Sequence, residues 1–288
     1  MNSLVTAVIT TYKRDAATVE RAVRSIVNQS YHPIEIIVVD DSPEEYKERH
    51  NVEMVVNKYG ATYIPHVHNM GACAARNTGL QAAHGEYIAY LDDDDEWTES
   101  KILKQVEKIR ESDVALVYCK NSIIDDETGQ VKYRKTELHK GYVLKDLLLT
   151  NFIGGTSFPL MKTSVLREIG GFDVEMQSAQ DYDTWIRIAE KYPIDYVDEA
   201  LVIYHTHQGE QISKTGKKRI AGIERLIKKY KQYIEEDEKV KWGYNMALAR
   251  AYGEAGEKAK GFSLWINATR QQPYMFVENL KYLKRIMK

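Results

Sequence analysis

Apolar residues fall along the first hundred positions in two alternating rhythms. Residues 5–10 form a short apolar run, and Val19, Ala22, Val23, Ile26 and Val27 follow at the spacing of one helix face. Residues 34–39 are continuous and mostly β-branched, as expected of a parallel strand buried on both faces. The pattern then predicts a helix over 43–59, a strand over 62–64, a helix over 72–83 and a strand over 87–91. A further helix opens near Thr98, a good N-cap, and puts Ile102, Leu103, Val106 and Ile109 on one side. This β-α-β-α-β-α order calls for an α/β fold with a doubly wound, mostly parallel central sheet flanked by helices.

Beyond residue 113 the rhythm loosens. Strands are expected at 114–118 and 131–133, around a turn at Glu127-Thr128-Gly129. After Lys214 long helices take over, with Ile220, Ile223, Leu226, Ile227 and Tyr230 as a core-facing stripe. Within 245–273, Tyr252, Gly256, Gly261, Trp265, Ala268 and Pro273 sit at the spacing of one tetratricopeptide-like hairpin. An ordinary C-terminal helical pair fits the same residues.

Composition narrows the classes. With 43% hydrophobic and 28% charged residues the chain is expected to fold in water. A formal net charge of -2 argues against a nucleic-acid binder. Cys73 and Cys119 show no CxxC spacing, so a disulfide framework is not expected and a reducing cytoplasm fits. The first residues lack the basic start of a signal peptide. The longest apolar stretch, 147–161, is interrupted by Asn151, Gly154, Gly155 and Pro159 and is too short to span a bilayer.

In open α/β sheets ligands bind at the carboxyl ends of the strands. Three such ends are unusually polar: Thr10-Thr11-Tyr12-Lys13-Arg14, Asp40-Asp41-Ser42 and Asp92-Asp93-Asp94-Asp95. Adjacent carboxylates repel and need a cation or solvent to offset them. Were the chain extended there, Asp92 and Asp94 would point to one side. That pair suits Mg²⁺ or Mn²⁺ with positions left for phosphate oxygens, although an acidic turn capping the next helix reads the same residues. No GxGxxG and no GxxxxGK[ST] occurs, so a nucleotide would be held by metal rather than by a glycine cradle.

These segments carry a family resemblance. Residues 7–14 and 36–42, Asn69-Met70-Gly71 with 75–79, the run 85–97, and Gly171-Phe172-Asp173 with Gln180-Asp181-Tyr182-Asp183-Thr184-Trp185 resemble, in order, family 2 glycosyltransferases of the GT-A fold. The resemblance spans about residues 4–213. It implies a glycosyltransferase domain over 1–213, with a nucleotide-sugar half at 1–97 and an acceptor half at 98–213, and a C-terminal helical region over 214–288.

By similarity, Tyr12 stacks on the nucleobase, Asp41 hydrogen-bonds it, and Thr10 and Arg14 line the same pocket. An aromatic face and a carboxylate can read a uracil ring and its imide N–H, which points to a UDP-sugar. Asp94 corresponds to the direct metal ligand, and Asp92 to a ribose or metal-water contact. Arg76 and Asn77 are donor-side supports, with an Arg76–aspartate ion pair as the structural reading. Asp181 corresponds to the base of an inverting transfer, and a helix cap is its structural reading. Gln180 departs from the family's acidic first position. His207 resembles a histidine that approaches the metal or diphosphate.

The resemblance implies a saccharide or lipid-linked saccharide acceptor in cell-envelope polysaccharide synthesis. Lys217-Lys218-Arg219, with Arg225, Lys228, Lys229 and Lys231, reads either as a peripheral contact to an anionic membrane or as a solvated helix face. Two other functions are open: a sugar-phosphate nucleotidyltransferase, and a catalytically silent scaffold using the helical tail. The absence of glycine from 10–14 speaks against the first, and the joint presence of Tyr12, Asp41, Asp94 and Asp181 against the second.

Overall fold

The computed structural model describes residues 2–133, 136–206 and 216–287. Its chain divides into two compact units. The first comprises Met1–Leu144, Asn151–Val174 and Thr184–Gln208. The second comprises Lys145–Thr150, Glu175–Asp183 and Gly209–Lys288. Two segments of the expected acceptor half thus fold with the C-terminal helices, and the expected boundary at 213/214 lies outside the described residues.

Among the described residues the first unit is built on a nine-stranded sheet. Its strands are β1 (Val5–Thr11), β2 (Ile34–Asp40), β3 (Thr62–Pro65), β4 (Tyr87–Asp92), β5 (Glu96–Trp97), β6 (Leu116–Asp125), β7 (Val131–Tyr133), β8 (Leu160–Lys162) and β9 (Ile194–Thr206). The order is β3-β2-β1-β4-β8-β6-β9-β5, with β7 paired to β6. β3, β2, β1 and β4 are parallel, and β8 joins β4 in antiparallel register. β6 and β9 run parallel to each other.

The helices of the unit are α1 (Ala16–Val27), α2 (Arg49–Lys58), α3 (Ala72–Ala82) and α4 (Lys101–Glu111). α5 (Leu144–Leu149), α6 (Thr163–Glu168) and α7 (Gln180–Ala189) follow, the first and last of them running across a unit boundary. α1 opens on Asp15, whose carboxylate accepts the Thr18 N–H at 2.9 Å, and buries Val19, Ala22, Val23 and Ile26. Two expected starts move. Residues 43–48 lie outside α2, and α4 begins at Lys101, because Thr98 gives its carbonyl to the Lys101 N–H in a turn. Ile102, Val106 and Ile109 still face the core.

The second unit holds α8 (Gly216–Lys229), α9 (Lys231–Glu236), α10 (Glu238–Glu254), α11 (Lys258–Gln271) and α12 (Phe276–Met287). α10 and α11 form a tight hairpin: a Cβ on Gly261 would stand 2.6 Å from the Ala249 carbonyl oxygen. Ile220, Ile223, Leu226 and Tyr230 are buried as a stripe. Among the described residues no helix is long and apolar enough to cross a membrane.

Candidate functional site

The carboxyl ends of β1, β2 and β4 meet along one edge because the three strands are parallel neighbours. Thr10 lies opposite Asp92 in the register, and Thr11 opposite Asp40. The Lys13 N–H donates to Ser42 Oγ at 2.8 Å, tying the end of β1 to the end of β2. Lys13 reaches that bond with φ of 51°, a left-handed conformation that an L-residue holds only where its surroundings fix it. Tyr12 beside it is 44% exposed, so its ring offers an open face.

Asp41 is buried, and its carboxylate organises the loop before α3. It accepts from the Met70 N–H at 2.7 Å, the Gly71 N–H at 2.8 Å and His66 Nδ1 at 2.7 Å. Three donors offset much of the cost of burying the charge. Gly71 takes φ of 91° to make its bond, which a side chain would disfavour. His66 Nε2 in turn meets Thr78 Oγ1 at 2.9 Å on α3.

The aspartate run does not stay extended. Asp95 N–H bonds the Asp92 carbonyl at 3.0 Å and closes a turn after β4. Exposure nevertheless alternates: the side chains of Asp92 and Asp94 are 37% and 28% exposed, whereas Asp93 and Asp95 are buried. Arg14 bridges the turn, with Nε 3.0 Å from Asp93 Oδ1 and an Nη 2.6 Å from Asp94 Oδ2. Arg21 donates to the Asp94 carbonyl at 3.0 Å. Burial pushes the Asp93 carboxyl up to about 6, while Arg14 pulls it back. Burial, then the charge of Asp92, holds Asp95 well above the usual carboxylate range.

Asp92 Oδ1 accepts from Arg76 at 3.1 Å and from Thr156 Oγ1 at 2.9 Å. The Ser157 hydroxyl accepts the Asp92 N–H at 3.1 Å and donates to Asp95 at 2.6 Å. Thr156 and Ser157 come from a stretch read in the sequence only as an interrupted apolar run. Its polar break at Gly154-Gly155-Thr156-Ser157 was the available signal, and nothing in it named partners 62 to 65 residues earlier in the chain. Asn77 is similarly committed: its amide exchanges two 2.8 Å hydrogen bonds with the Phe172 backbone.

The donor set fits a hard divalent cation. Asp92 Oδ2 and Asp94 Oδ1 bond no described protein group, and both belong to half-exposed carboxylates. Among the described residues no three His, Cys, Asp or Glu side chains form a cage. Two carboxylate oxygens with room beside them for phosphate and water oxygens would suit Mg²⁺ or Mn²⁺. His207 lies outside the described residues. His205 is described, buried between Glu96 at 2.8 Å and Asp126 at 2.5 Å.

Asp181 belongs to the second unit and stands inside the first turn of α7, not at its cap. The helix there is fixed by its neighbours: Tyr182 Oη donates to the Leu147 carbonyl at 2.5 Å. Asp183 is fully buried and accepts from Lys229 Nζ at 2.5 Å and Tyr230 Oη at 2.8 Å. Asp181 itself is half-buried. Of the two carboxylates, Asp183 is spent on structure.

The family model described as glycosyl transferase family 2 matches residues 6–170. The chain is 27% identical over 245 residues to WcaA of Escherichia coli (strain K12), provisionally named a colanic acid biosynthesis glycosyl transferase. The match covers 83% of this chain and 85% of WcaA. S. aureus TarS, solved in complex with UDP-GlcNAc, superposes with a TM-score of 0.62 at 15% identity, covering 95% of this chain and 91% of that one. The mannosyltransferase PcManGT of Pyrobaculum calidifontis, solved with GDP-Man and Mn2+, superposes with a TM-score of 0.61 at 17% identity, covering 98% and 85%. The α/β fold, with its sheet flanked by helices and its C-terminal helices, matches these GT-A neighbours.

Proposed function

The chain belongs to glycosyl transferase family 2, and on that premise we propose that it moves a sugar from a UDP-sugar to a saccharide or lipid-linked saccharide of the cell envelope, with inversion. The observation that carries this reading is the pair Asp92 and Asp94. Both are half-exposed at the strand edge, each keeps one carboxylate oxygen without a partner among the described residues, and cationic side chains hold the other.

Each residue has a task in this account. The open face of Tyr12 stacks on the base, and Asp41, held rigid by Met70, Gly71 and His66, faces its imide N–H. Thr10 and Arg14 line the same pocket, and Arg76 keeps Asp92 in place. Asp94, with Asp92, would hold Mn²⁺ or Mg²⁺, and that ion would supply charge neutralisation of the leaving diphosphate. No second acid is then required. Asp181 takes the proton of the acceptor hydroxyl as its oxygen attacks the anomeric carbon. Attack from one face in a single displacement inverts the configuration.

WcaA, named for colanic acid biosynthesis, supports an envelope acceptor. TarS with UDP-GlcNAc supports a uridine donor, and PcManGT with Mn2+ supports the cation. A membrane contact through the basic face of α8 loses part of its charge, since Arg219, Arg225 and Lys229 are paired to Glu254, Glu175 and Asp183.

The test is product analysis with a panel of UDP-sugars and saccharide acceptors. We expect release of UDP and a product whose anomeric proton coupling is opposite to the donor's. Release of pyrophosphate would indicate a nucleotidyltransferase, and a retained anomer would rule out the single displacement.

A further inference from the structure

We propose that one face of α8 is a positioning device for the Asp181 turn, so that the C-terminal helices are part of the catalytic apparatus. The proposal rests on Asp181 being the base. It concerns the second unit alone, in which 175–183 and α8 fold together.

Four residues of α8, at 218, 222, 225 and 229, follow the i, i+4, i+7, i+11 spacing that puts them on one side of a helix. Each meets the segment before or within the Asp181 turn. Ser178 Oγ donates to the Lys218 carbonyl at 3.1 Å. Gly222 lets the two backbones touch: a Cβ there would stand 2.2 Å from Ser178 Oγ and 2.8 Å from the Ser178 carbonyl oxygen. Arg225 pairs with Glu175 at 2.5 Å, and Lys229 with the buried Asp183 at 2.5 Å. Tyr230 Oη adds a second bond to Asp183 at 2.8 Å.

Between these anchors lies the strained residue. Ala179 holds φ of 56°, and its carbonyl accepts the Asp183 N–H at 3.0 Å to start α7. An L-alanine keeps a left-handed backbone only where the surroundings over-determine it. Ser178 is pinned on one side and Asp183 on the other, both by α8. Asp181 sits between the pinned points, two residues before the Asp183 anchor. The rotation of the first helical turn, and with it the direction of the Asp181 carboxylate, is thereby tied to α8, beside the Tyr182 bond to Leu147 of α5. The residues of this face are positioning residues, because none of them is required to touch substrate.

The basic run that reads in the sequence as a membrane or solvent face is thus divided. Arg225 and Lys229 serve the clamp, while Lys228 is exposed and carries the same charge elsewhere on the helix.

The experiment compares Lys229→Met, Lys229→Arg, Tyr230→Phe, Gly222→Ala and Lys228→Met with wild type and Asp181→Asn, in the full chain. Four quantities are read: melting temperature, affinity for UDP with Mn²⁺, KM for donor and kcat. Displacing a catalytic group by about 1 Å costs up to a hundred-fold. Lys229→Met and Gly222→Ala should lower kcat about ten- to a hundred-fold, with UDP affinity and donor KM unchanged. Lys229→Arg should restore most of the rate, and Lys228→Met should behave as wild type. Tyr230→Phe, which removes only a hydroxyl, covers the case in which Lys229→Met fails to fold and should lower kcat several-fold. Normal kcat in Tyr230→Phe and Gly222→Ala beside a crippled Asp181→Asn overturns the clamp. Equal loss in Lys228→Met and Lys229→Met also overturns it, in favour of a general charge effect. A normal rate in Asp181→Asn overturns the base itself.

Discussion

The Ser157 hydroxyl donates to the Asp95 carboxylate at 2.6 Å across 62 residues of chain. The same oxygen accepts the Asp92 N–H, so one hydroxyl holds both ends of the turn that presents Asp94. Ser157→Ala leaves a buried carboxylate and a backbone N–H without their partner, a loss of about 1–3 kcal/mol. Urea unfolding should show that loss, and titration of Mn²⁺ with UDP should show weaker binding. Unchanged values in both would mean that the turn holds itself.

Asp41 faces three donors, two of them backbone N–H groups that cannot reorient. Asp41→Asn replaces one acceptor oxygen by an NH₂ and sets donor against donor. A destabilisation of about 1–3 kcal/mol follows from the unsatisfied groups. In the wild type, UDP should raise the melting temperature more than GDP or CDP, because a ligand that binds only the native state stabilises it. Tyr12→Ala should shrink the UDP shift while leaving the unliganded melting temperature near its original value. A larger shift with GDP would exchange uracil for guanine without touching the fold.

Much of this was legible in the chain. The continuous β-branched run at 34–39 and the helical spacing from Val19 to Val27 gave β2 and α1 within a residue or a few, because burial on both faces leaves a simple pattern. The alternation of Asp92 and Asp94 against Asp93 and Asp95 survives in their exposure, although a turn, not an extended strand, produces it. The pairs Ser157–Asp95 and Lys229–Asp183 were not legible. They join residues 62 and 46 apart, and no local periodicity carries such a contact. The same reason hides the start of α4: Thr98 is a suitable cap by type, but a preceding turn claims its carbonyl.

Lys101 gives a pH test of the core beneath the site. It is fully buried, its Nζ lies 2.8 Å from Gln105 Oε1 and 4.0 Å from the centre of the Trp97 ring, and burial lowers it to about 8. A lysine titrating lower in the folded than in the unfolded chain binds fewer protons when folded. Stability therefore rises with pH between about 8 and the unfolded value of 10.5. The full interval is on the order of 3 kcal/mol, counting 1.4 kcal/mol per unit. Lys101→Met lacks that term, so the variant should lose about this much stability relative to wild type between pH 7.5 and 10.5. Urea unfolding of both proteins across that range measures it, and parallel curves would place the lysine charge in contact with water.

In the proposed function a cation held at Asp94 carries the donor diphosphate. Isothermal titration of UDP into the wild type and into Asp94→Asn, first with Mn²⁺ and then with EDTA, tests it most directly. Tight binding is expected only for the wild type with Mn²⁺, with chelation or the substitution each weakening it at least ten-fold. Equal affinity of the wild type with Mn²⁺ and with EDTA would contradict it.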